Sequence, residues 1–366
     1  MVKELNQSII LDIIRTKKAV SKVEIASITG LSPNAVGIIT TNLIAENYIY
    51  ISGIAQSSGG RKPELLSIKP NSYYSMGVDV DTDRIRFALI DITGDVIYSS
   101  RVKMNCADDY KAVFDVINPE IDKNKIYKLM GVGFAIAGQV DSKGEIVISA
   151  PNLKWKNVNI LNELSTDIDV FLENESITSA IYESWSGICQ EAKNFICINS
   201  KSGIGAGIFI DGKIYKGISG SAGEVGHITV DINGPKCECG SNGCLETYAS
   251  SLRIAHMLKK QSIDEVIEMA RKADKVAINA LKLSAMYISV VVSGLINTLN
   301  PEKIVLGKEF VKYADLIIDD IRKQVKQKAL AIPANNVEIT VSKEGTLSSV
   351  LGAAILPLTK IFKAMI

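Results

Sequence analysis

The first fifty residues carry apolar side chains at helical intervals. Leu5, Ile9, Ile10, Ile13 and Ile14 recur on one face of an amphipathic helix. Ser21-Lys22-Val23-Glu24 is a capping-box pattern, in which the serine hydroxyl and glutamate carboxylate satisfy end amides reciprocally. The helix it opens is predicted to stop at Thr29-Gly30. Ser32 then caps a third helix whose first position is Pro33, where a missing amide costs nothing. Val36, Ile39, Leu43 and Ile44 form its apolar face. Two strand-like segments follow, Tyr48–Ile54 and Glu64–Ile68, separated by Gln56-Ser57-Ser58-Gly59-Gly60-Arg61-Lys62-Pro63. Helix, helix, glycine turn, helix and basic-tipped hairpin is the order of a winged helix-turn-helix, expected over residues 1–70.

Around Pro70–Tyr74 the texture turns to α/β. Met76–Val80, Ile85–Ile90 and Val96–Tyr98 read as a meander turning at Asp91–Gly94. A comparable unit recurs as Phe195–Asn199, Gly203–Ile210, an Asp211-Gly212 turn and Lys213–Tyr215. The recurrence predicts two related α/β lobes with a cleft between them, over residues 71–190 and 191–345. Residues 346–366 are expected to form a helix packing back on the first lobe. Glu246–Lys260 and Ile263–Leu299 are predicted helical, the latter in two or three segments. Its most apolar part, Ile288–Leu299, is interrupted by Ser289, Ser293, Gly294 and Asn297 and reads as too short to span a bilayer. Met1–Asn6 leads straight into an amphipathic pattern rather than a signal peptide. No membrane partner is expected, and the location is expected to be cytoplasmic.

Composition narrows the class. The 366 residues suit two or three domains, and 47% hydrophobic with 22% charged residues excludes disordered and fibrous chains. The net charge of +1 is uninformative as a sum, but residues 1–75 carry eight bases against five acids. That local excess favours a polyanion site at the N-terminus, if mildly. Six cysteines without a secretory signal indicate a reducing compartment, which makes disulfides the weaker explanation of any cluster.

Such a cluster exists. His227 precedes Cys237-Glu238-Cys239-Gly240-Ser241-Asn242-Gly243-Cys244. Three closely spaced thiolates and one imidazole supply the four donors of a closed structural Zn²⁺ site. Gly240 and Gly243 permit the turns that return Cys239 and Cys244 to one ion. The competing reading is three free buried cysteines beside an unrelated histidine, one of two in the chain. With no open position, the expected metal locks a loop and does no catalysis.

The segment Asp211-Gly212-Lys213 through Gly220-Ser221-Ala222-Gly223-Glu224-Val225-Gly226-His227, followed by Cys-x-Cys-Gly-x-x-Gly-Cys-Leu-Glu, resembles the signature of the ROK family of repressors, open reading frames and sugar kinases. Gly131–Asp141, Pro151-Asn152-Leu153-Lys154-Trp155, Asn174-Glu175 and Asn300-Pro301 agree with it. The N-terminal reader, with Gly59-Gly60-Arg61-Lys62-Pro63, is similar to that of the repressor branch, which includes xylose repressors. The resemblance implies an actin-like, two-lobed α/β fold with a sugar in the cleft. It places hydroxyl-binding groups at Asn152, Asn174, Glu175, Glu224, His227 and Glu246, with Gly138 a further candidate. Carboxylates, amides and imidazoles suit that task, because burying them unpaired is costly and the cost is the source of specificity. His227 would hold zinc through one ring nitrogen and offer the other to the sugar. The competing reading treats Glu224 and Glu246 as exposed surface acids.

The same resemblance bears on catalysis. The family's kinases read Asp-x-Gly-Gly-Thr at the first phosphate loop, where this chain has Asp79-Val80-Asp81-Thr82-Asp83. Two extra carboxylates there are expected to repel a triphosphate. Gly307-Lys308 stands where the kinases have paired glycines, and Glu175 stands at the position of their aspartate general base. Gly203-Ile204-Gly205-Ala206-Gly207 persists, yet a lone glycine-rich stretch is weak evidence of a phosphate cradle. A non-enzyme is expected, with no catalytic residue.

For the third helix, Ser32, Asn34, Thr40, Thr41 and Asn42 are the polar groups available to bases, and no arginine or lysine accompanies them. Arg61 and Lys62 on the wing could reach a narrow A·T-rich minor groove, while Lys17, Lys18 and Lys22 contact phosphates. The expected whole is a homodimer on an inverted-repeat operator in duplex DNA, its affinity shifted by a sugar, with xylose and glucose the leading candidates by analogy. Two alternatives stand beside it: an active glucokinase-like sugar kinase, and a regulator controlled by a protein partner.

Overall fold

A computed structural model describes residues 2–55, 62–141 and 143–362. In chain order, α1 (Val2–Lys17), β1 (Val20–Ser21), α2 (Lys22–Thr29), α3 (Pro33–Ala45), β2 (Ile49–Ile54) and β3 (Glu64–Ile68) come first. Next are β4 (Tyr74–Asp81), β5 (Arg84–Asp91), β6 (Val96–Lys103), α4 (Tyr110–Asn124) and β7 (Leu129–Ile136). They are followed by β8 (Gln139–Val140), β9 (Ile146–Ala150), β10 (Trp155–Asn159), α5 (Ile160–Glu163), β11 (Val170–Asn174) and α6 (Glu175–Trp185). Then come β12 (Phe195–Ser200), β13 (Ile204–Ile210), β14 (Lys213–Ile214), α7 (Glu246–Ala249), α8 (Ser251–Met257), α9 (Ile263–Arg271) and α10 (Lys275–Leu299). The last elements are β15 (Lys303–Lys308), α11 (Phe310–Lys328), α12 (Ala331–Asn336), β16 (Glu338–Val341) and α13 (Ser348–Ile355). Two compact units result. The first comprises Met1–Phe134, Ile160–Leu172 and Ala353–Ile366, and the second Ala135–Asn159 and Glu173–Gly352.

The N-terminal head of the first unit is a winged helix-turn-helix. Ile10, Leu11 and Ile14 of α1, Ile25 of α2, and Val36 and Leu43 of α3 are fully buried together with Leu66 of β3. Both halves of the capping box form: Ser21 Oγ accepts from the Glu24 amide at 3.2 Å, and Glu24 Oε2 accepts from the Ser21 amide at 2.8 Å. That amide holds the Glu24 carboxyl below the usual carboxylate range. The capping contribution is therefore complete above about pH 4.3 and lost as pH falls through the lowered value. Gly30 ends α2 at φ +69°, and Ser32 caps α3 by accepting from the Ala35 amide at 3.2 Å. A strand that the pattern does not predict, β1, pairs antiparallel with Leu65-Leu66 and completes a sheet of order β1-β3-β2. Two residues are too few to show a period-two signal. The head is tied to the chain that follows by stacking of Tyr48 on Tyr73, with ring centroids 4.6 Å apart, and by the Tyr73 hydroxyl donating to Glu46 O at 2.8 Å.

Beyond the head, one topology is used twice. The first five-stranded sheet has the order β6-β5-β4-β7-β11 and the second the order β14-β13-β12-β15-β16. In each, an antiparallel meander places its first strand at the sheet centre, and two later strands extend the sheet on that strand's free side. The second sheet continues in parallel from β12 to β15 to β16, each new strand reached through helices. A smaller antiparallel sheet, β10-β9-β8, belongs to the second unit. In the first unit the Ser75 hydroxyl donates to Ala354 O at 2.5 Å. Gly133 has no room for a Cβ, which would lie 1.9 Å from Ala353 O.

The apolar stretch that reads as too short for a bilayer is part of α10, whose 25 residues meet the length and composition of a membrane span. Half of that span is buried within the protein. Leu281, Ala285, Ile288, Val292 and Ile296 pack in one core with Phe310, Ile317 and Ile321 of α11. It is a core helix.

Replacing Ser21 by alanine removes one side of the capping box and should cost about 1 kcal/mol. Amide exchange in α2 of the full chain, followed by mass spectrometry, should then accelerate about fivefold. Unchanged exchange would show that the cap does not limit opening of α2.

Candidate functional site

The histidine and cysteines converge as their spacing implies. Isolated bridges pair Thr229 with Cys244 and Lys236 with Asn242, folding the loop back on itself. Gly243 adopts φ +61°, and a Cβ there would lie 1.6 Å from Asp231 O, so no other residue fits. The potential ligand atoms of His227, Cys237, Cys239 and Cys244 all lie within 4.8 Å of one another. Cys237 Sγ is 3.6 Å from His227 Nδ1, and Cys239 Sγ is 3.6 Å from Cys244 Sγ. A tetrahedral ion with metal–sulfur bonds of ~2.3 Å requires sulfur–sulfur edges of about 3.8 Å, so this donor set fits one. Burial pushes the Cys237 and Cys244 thiols up, the latter to about 12, whereas the Ser241 amide holds Cys239 down to about 7. A cation among them would supply the charge that buried thiolates lack. The loop is also clamped to α7 and α10. The Tyr248 hydroxyl donates to Asp231 Oδ2 at 2.8 Å, and its ring stacks on Tyr287 at 4.1 Å.

Asn152, Asn174, Glu175, Glu224, His227 and Glu246 line a single cavity of about 450 Å³ in the second unit, with Gly138 also at its wall. That volume lies in the ordinary range for small-molecule pockets. Each carboxylate has a specific companion. Glu246, at the start of α7, accepts from the Ile204 amide at 3.1 Å. Glu224 Oε2 is 4.0 Å from His227 Nε2, the ring nitrogen not facing the thiols. Burial raises the Glu224 pKa, the Glu246 charge adds to the rise, and His227 opposes it. Glu175, at the start of α6, forms an ion pair with Lys308 at the end of β15, the two side chains being only 17% and 4% exposed. Asn174 caps α6 by accepting from the Ser176 amide at 2.7 Å and donates to Gly138 O at 2.9 Å, leaving one hydrogen for another partner. Asn152 is more exposed and donates to Ser202 Oγ at 3.0 Å.

The glycine-rich strand has a packing explanation. A Cβ at Gly203 would lie 2.4 Å from Glu246 Oε2, one at Gly205 2.7 Å from Ser176 Oγ, and one at Gly207 2.4 Å from the Ala180 Cβ. Gly205 and Gly207 share one face of β13 and let α6 lie directly on it, and Gly203, just before the strand, leaves room for Glu246.

In the head, Ser32, Asn34 and Thr41 of the α3 region are exposed and Asn42 is half-buried. Thr40 corrects the expectation. It is fully buried, and its hydroxyl donates to Val36 O at 2.8 Å, so it cannot reach a base. Position 40 falls on the same face as Val36 and Leu43, which sequence reading had passed over for a threonine. Lys62 is exposed, and Arg61 lies outside the described residues.

A model of the ROK family matches residues 75–360. The chain belongs to the ROK family. Among its relatives, the xylose repressor of Bacillus spizizenii is 32% identical over 362 residues, covering 96% of this chain and 94% of that protein. A glucokinase of Halalkalibacterium halodurans is 29% identical over 305 residues, covering 76% of this chain and 92% of that one. The solved structure of a ROK family transcriptional regulator, described as a homolog of the E. coli MLC protein, superposes with a TM-score of 0.86. At 24% identity it covers 100% of this chain and 98% of its own, which shows a shared fold over the whole length. This ROK protein therefore resembles the family's regulators from end to end, while its likeness to the glucokinase leaves about a quarter of the chain unmatched.

Two features at kinase positions differ from the sequence expectation. The carboxylates of the first loop do not stand as bare negative charge. Arg86 Nη1 lies 3.0 Å from Asp79 Oδ2 and 3.5 Å from Asp81 Oδ2, and Arg84 pairs with Asp83. Simple repulsion of a triphosphate is thus a weaker objection than the sequence implies. Arg86 was missed because it lies one strand away and no spacing rule links it to Asp79. The stronger feature is Lys308. It sits at φ +51°, a left-handed conformation natural for glycine, and its ammonium is spent on Glu175. Nothing in the local sequence joins positions 175 and 308.

Gly243→Ala should destabilise the second unit by more than about 2 kcal/mol, because its Cβ meets backbone. Gly240→Ala, at φ +98° but with open space around a Cβ, should cost only about 1 kcal/mol. Urea unfolding of both variants checks the order, and equal costs would refute the crowding argument.

Proposed function

We propose that this ROK protein is a sugar-responsive, DNA-binding transcriptional regulator and not a sugar kinase. The observation that carries the second half is the Lys308–Glu175 ion pair. A general base must be free to take the proton of the attacking hydroxyl, and a carboxylate committed to a buried ammonium is a poor acceptor. Held there, Glu175 remains part of the pocket wall, where a carboxylate suits a sugar hydroxyl. The first half is supported by the winged helix and by full-length similarity to a repressor.

In this reading Asn152, Asn174, Glu175, Glu224, His227 and Glu246 bind the hydroxyls of an aldose, xylose being the first candidate from the relatives' name. His227, Cys237, Cys239 and Cys244 would hold a structural Zn²⁺ with no open coordination position, whose contribution is rigidity. His227 then keeps Nε2 for Glu224 and the sugar, its tautomer fixed by the ion on the other nitrogen. Ser32, Asn34, Thr41 and Asn42 face the major groove, and Lys62 with Arg61 serve the wing. The protein acts in the cytoplasm as a homodimer on an inverted repeat, its two-fold axis matching the operator's.

Reader and pocket belong to different compact units, joined where the chain passes between residues 134 and 135, 159 and 160, 172 and 173, and 352 and 353. Gly138, Asn174 and Glu175 lie within four residues of these crossings, so a sugar that orders them acts on the joining segments. For the operator affinity to change, the sugar must bind one state more tightly than the other.

Thermal shift of the purified protein across a panel of aldoses, paired with operator binding, tests the regulator reading. One sugar should stabilise the protein and shift its DNA affinity, and Glu246→Gln should lose both responses while binding DNA normally. A normal response in that variant would move the pocket elsewhere. Coupled ADP release with the same aldoses should stay at the blank rate, and sustained turnover would overturn the non-kinase half. Cys244→Ser should lower bound zinc from one equivalent toward zero, measured by mass spectrometry, and abolish the sugar-induced shift. Retention of the full equivalent would remove Cys244 from the site.

A further inference from the structure

The exposed side of α3 carries, beside its polar groups, a large apolar side chain that a purely polar base reading leaves unused. Asn34, Ile38 and Thr41 lie at positions i, i+4 and i+7 and are all exposed, opposite the buried Val36, Ile39, Thr40 and Leu43. Ile38 leaves 54% of its surface uncovered. Thr41 resembles it more than its name implies, because its hydroxyl donates to Gly37 O at 2.9 Å and its methyl remains for an outside partner. Beside them, a Cβ at Gly37 would meet nothing within 4 Å, so packing within the chain does not require that glycine. Its bare backbone lets whatever docks there approach closely. The helix itself carries no charge, whereas residues 1–75 hold eight bases against five acids, and Lys17, Lys18 and Lys62 are exposed. A polyanion docked on this face would meet methyl groups and no like charge on the helix.

The apolar group on the base edges of the major groove is the thymine 5-methyl. We propose that Ile38, assisted by the Thr41 methyl, reads thymine methyl groups in the operator, with Gly37 setting the close approach. Asn34, one turn nearer the helix start, is placed to read an adjacent adenine through N6 and N7. The inference rests on the DNA-binding reading and adds to it a specificity determinant of hydrophobic kind.

The test uses the full-length protein and a duplex that it enriches from a randomised library. Thymines of that duplex are replaced one at a time by deoxyuridine, which lacks only the methyl. At one or two positions in each half-site, affinity should fall roughly three- to fivefold. Ile38→Ala should bind the thymine and deoxyuridine forms equally at those positions, with an unchanged salt slope because its phosphate contacts are intact. Ile38→Val, which keeps part of the apolar surface, should retain an intermediate discrimination. Loss of affinity on deoxyuridine substitution that persists undiminished in Ile38→Ala would overturn the assignment, as would indifference of the unaltered protein to every such substitution. Failure to enrich any duplex is a different result: it would remove the DNA-binding reading and leave the face of Ile38 to a protein partner.

Discussion

A carboxylate taken out of water must be given a partner, and that rule organises this molecule. Isolated, each buried charge would cost several kcal/mol, and removing one member of a buried pair typically costs about 3–5 kcal/mol. Glu175 has Lys308, Glu173 has Lys216, Asp79 and Asp81 share Arg86, and Glu183 takes the Ser342 hydroxyl and the Ile188 amide. Glu246 uses the Ile204 amide, which is reachable only because Gly203 has no side chain. These pairings hold each carboxylate in one orientation. A polar ligand that left such a group unsatisfied would bind poorly.

The same rule accounts for the pairing of Lys308 with Glu175. Lys308 accepts an unfavourable left-handed backbone and a buried ammonium in order to reach Glu175. Such strain persists only where surrounding structure over-determines it. Gly203 and the glycines of β13 are consistent with this view, since each is required by Glu246, Ser176 or Ala180 whether or not a nucleotide ever binds. A sequence feature shared with phosphate loops is here a feature of close helix-on-strand packing.

Rigidity and responsiveness are also separated in the chain. The histidine–cysteine loop is anchored at both ends, by its own bridges and through Asp231 and Tyr248 to Tyr287 of the core helix α10. Pocket groups on that loop are therefore presented from a fixed base. Asn174 and Glu175 instead begin a helix immediately after the chain leaves the first unit.

How far the sequence determined this protein can be read from particular elements. Helical periodicity, the Ser21 and Ser32 caps and Gly30 placed the three helices of the head, because such signals act within a few residues. Cysteine spacing with two glycines brought together the four residues that could hold a metal for the same reason, and the signature around Glu224 and Glu246 located the cavity. Other facts depend on contacts between distant residues. The arginine shared by Asp79 and Asp81 and the 133-residue reach from Lys308 to Glu175 have no local sequence signal. Propensity and capping are short-range energies written into neighbouring residues, whereas pairing of buried charge is decided only when the folded chain brings its partners within a few ångströms of each other.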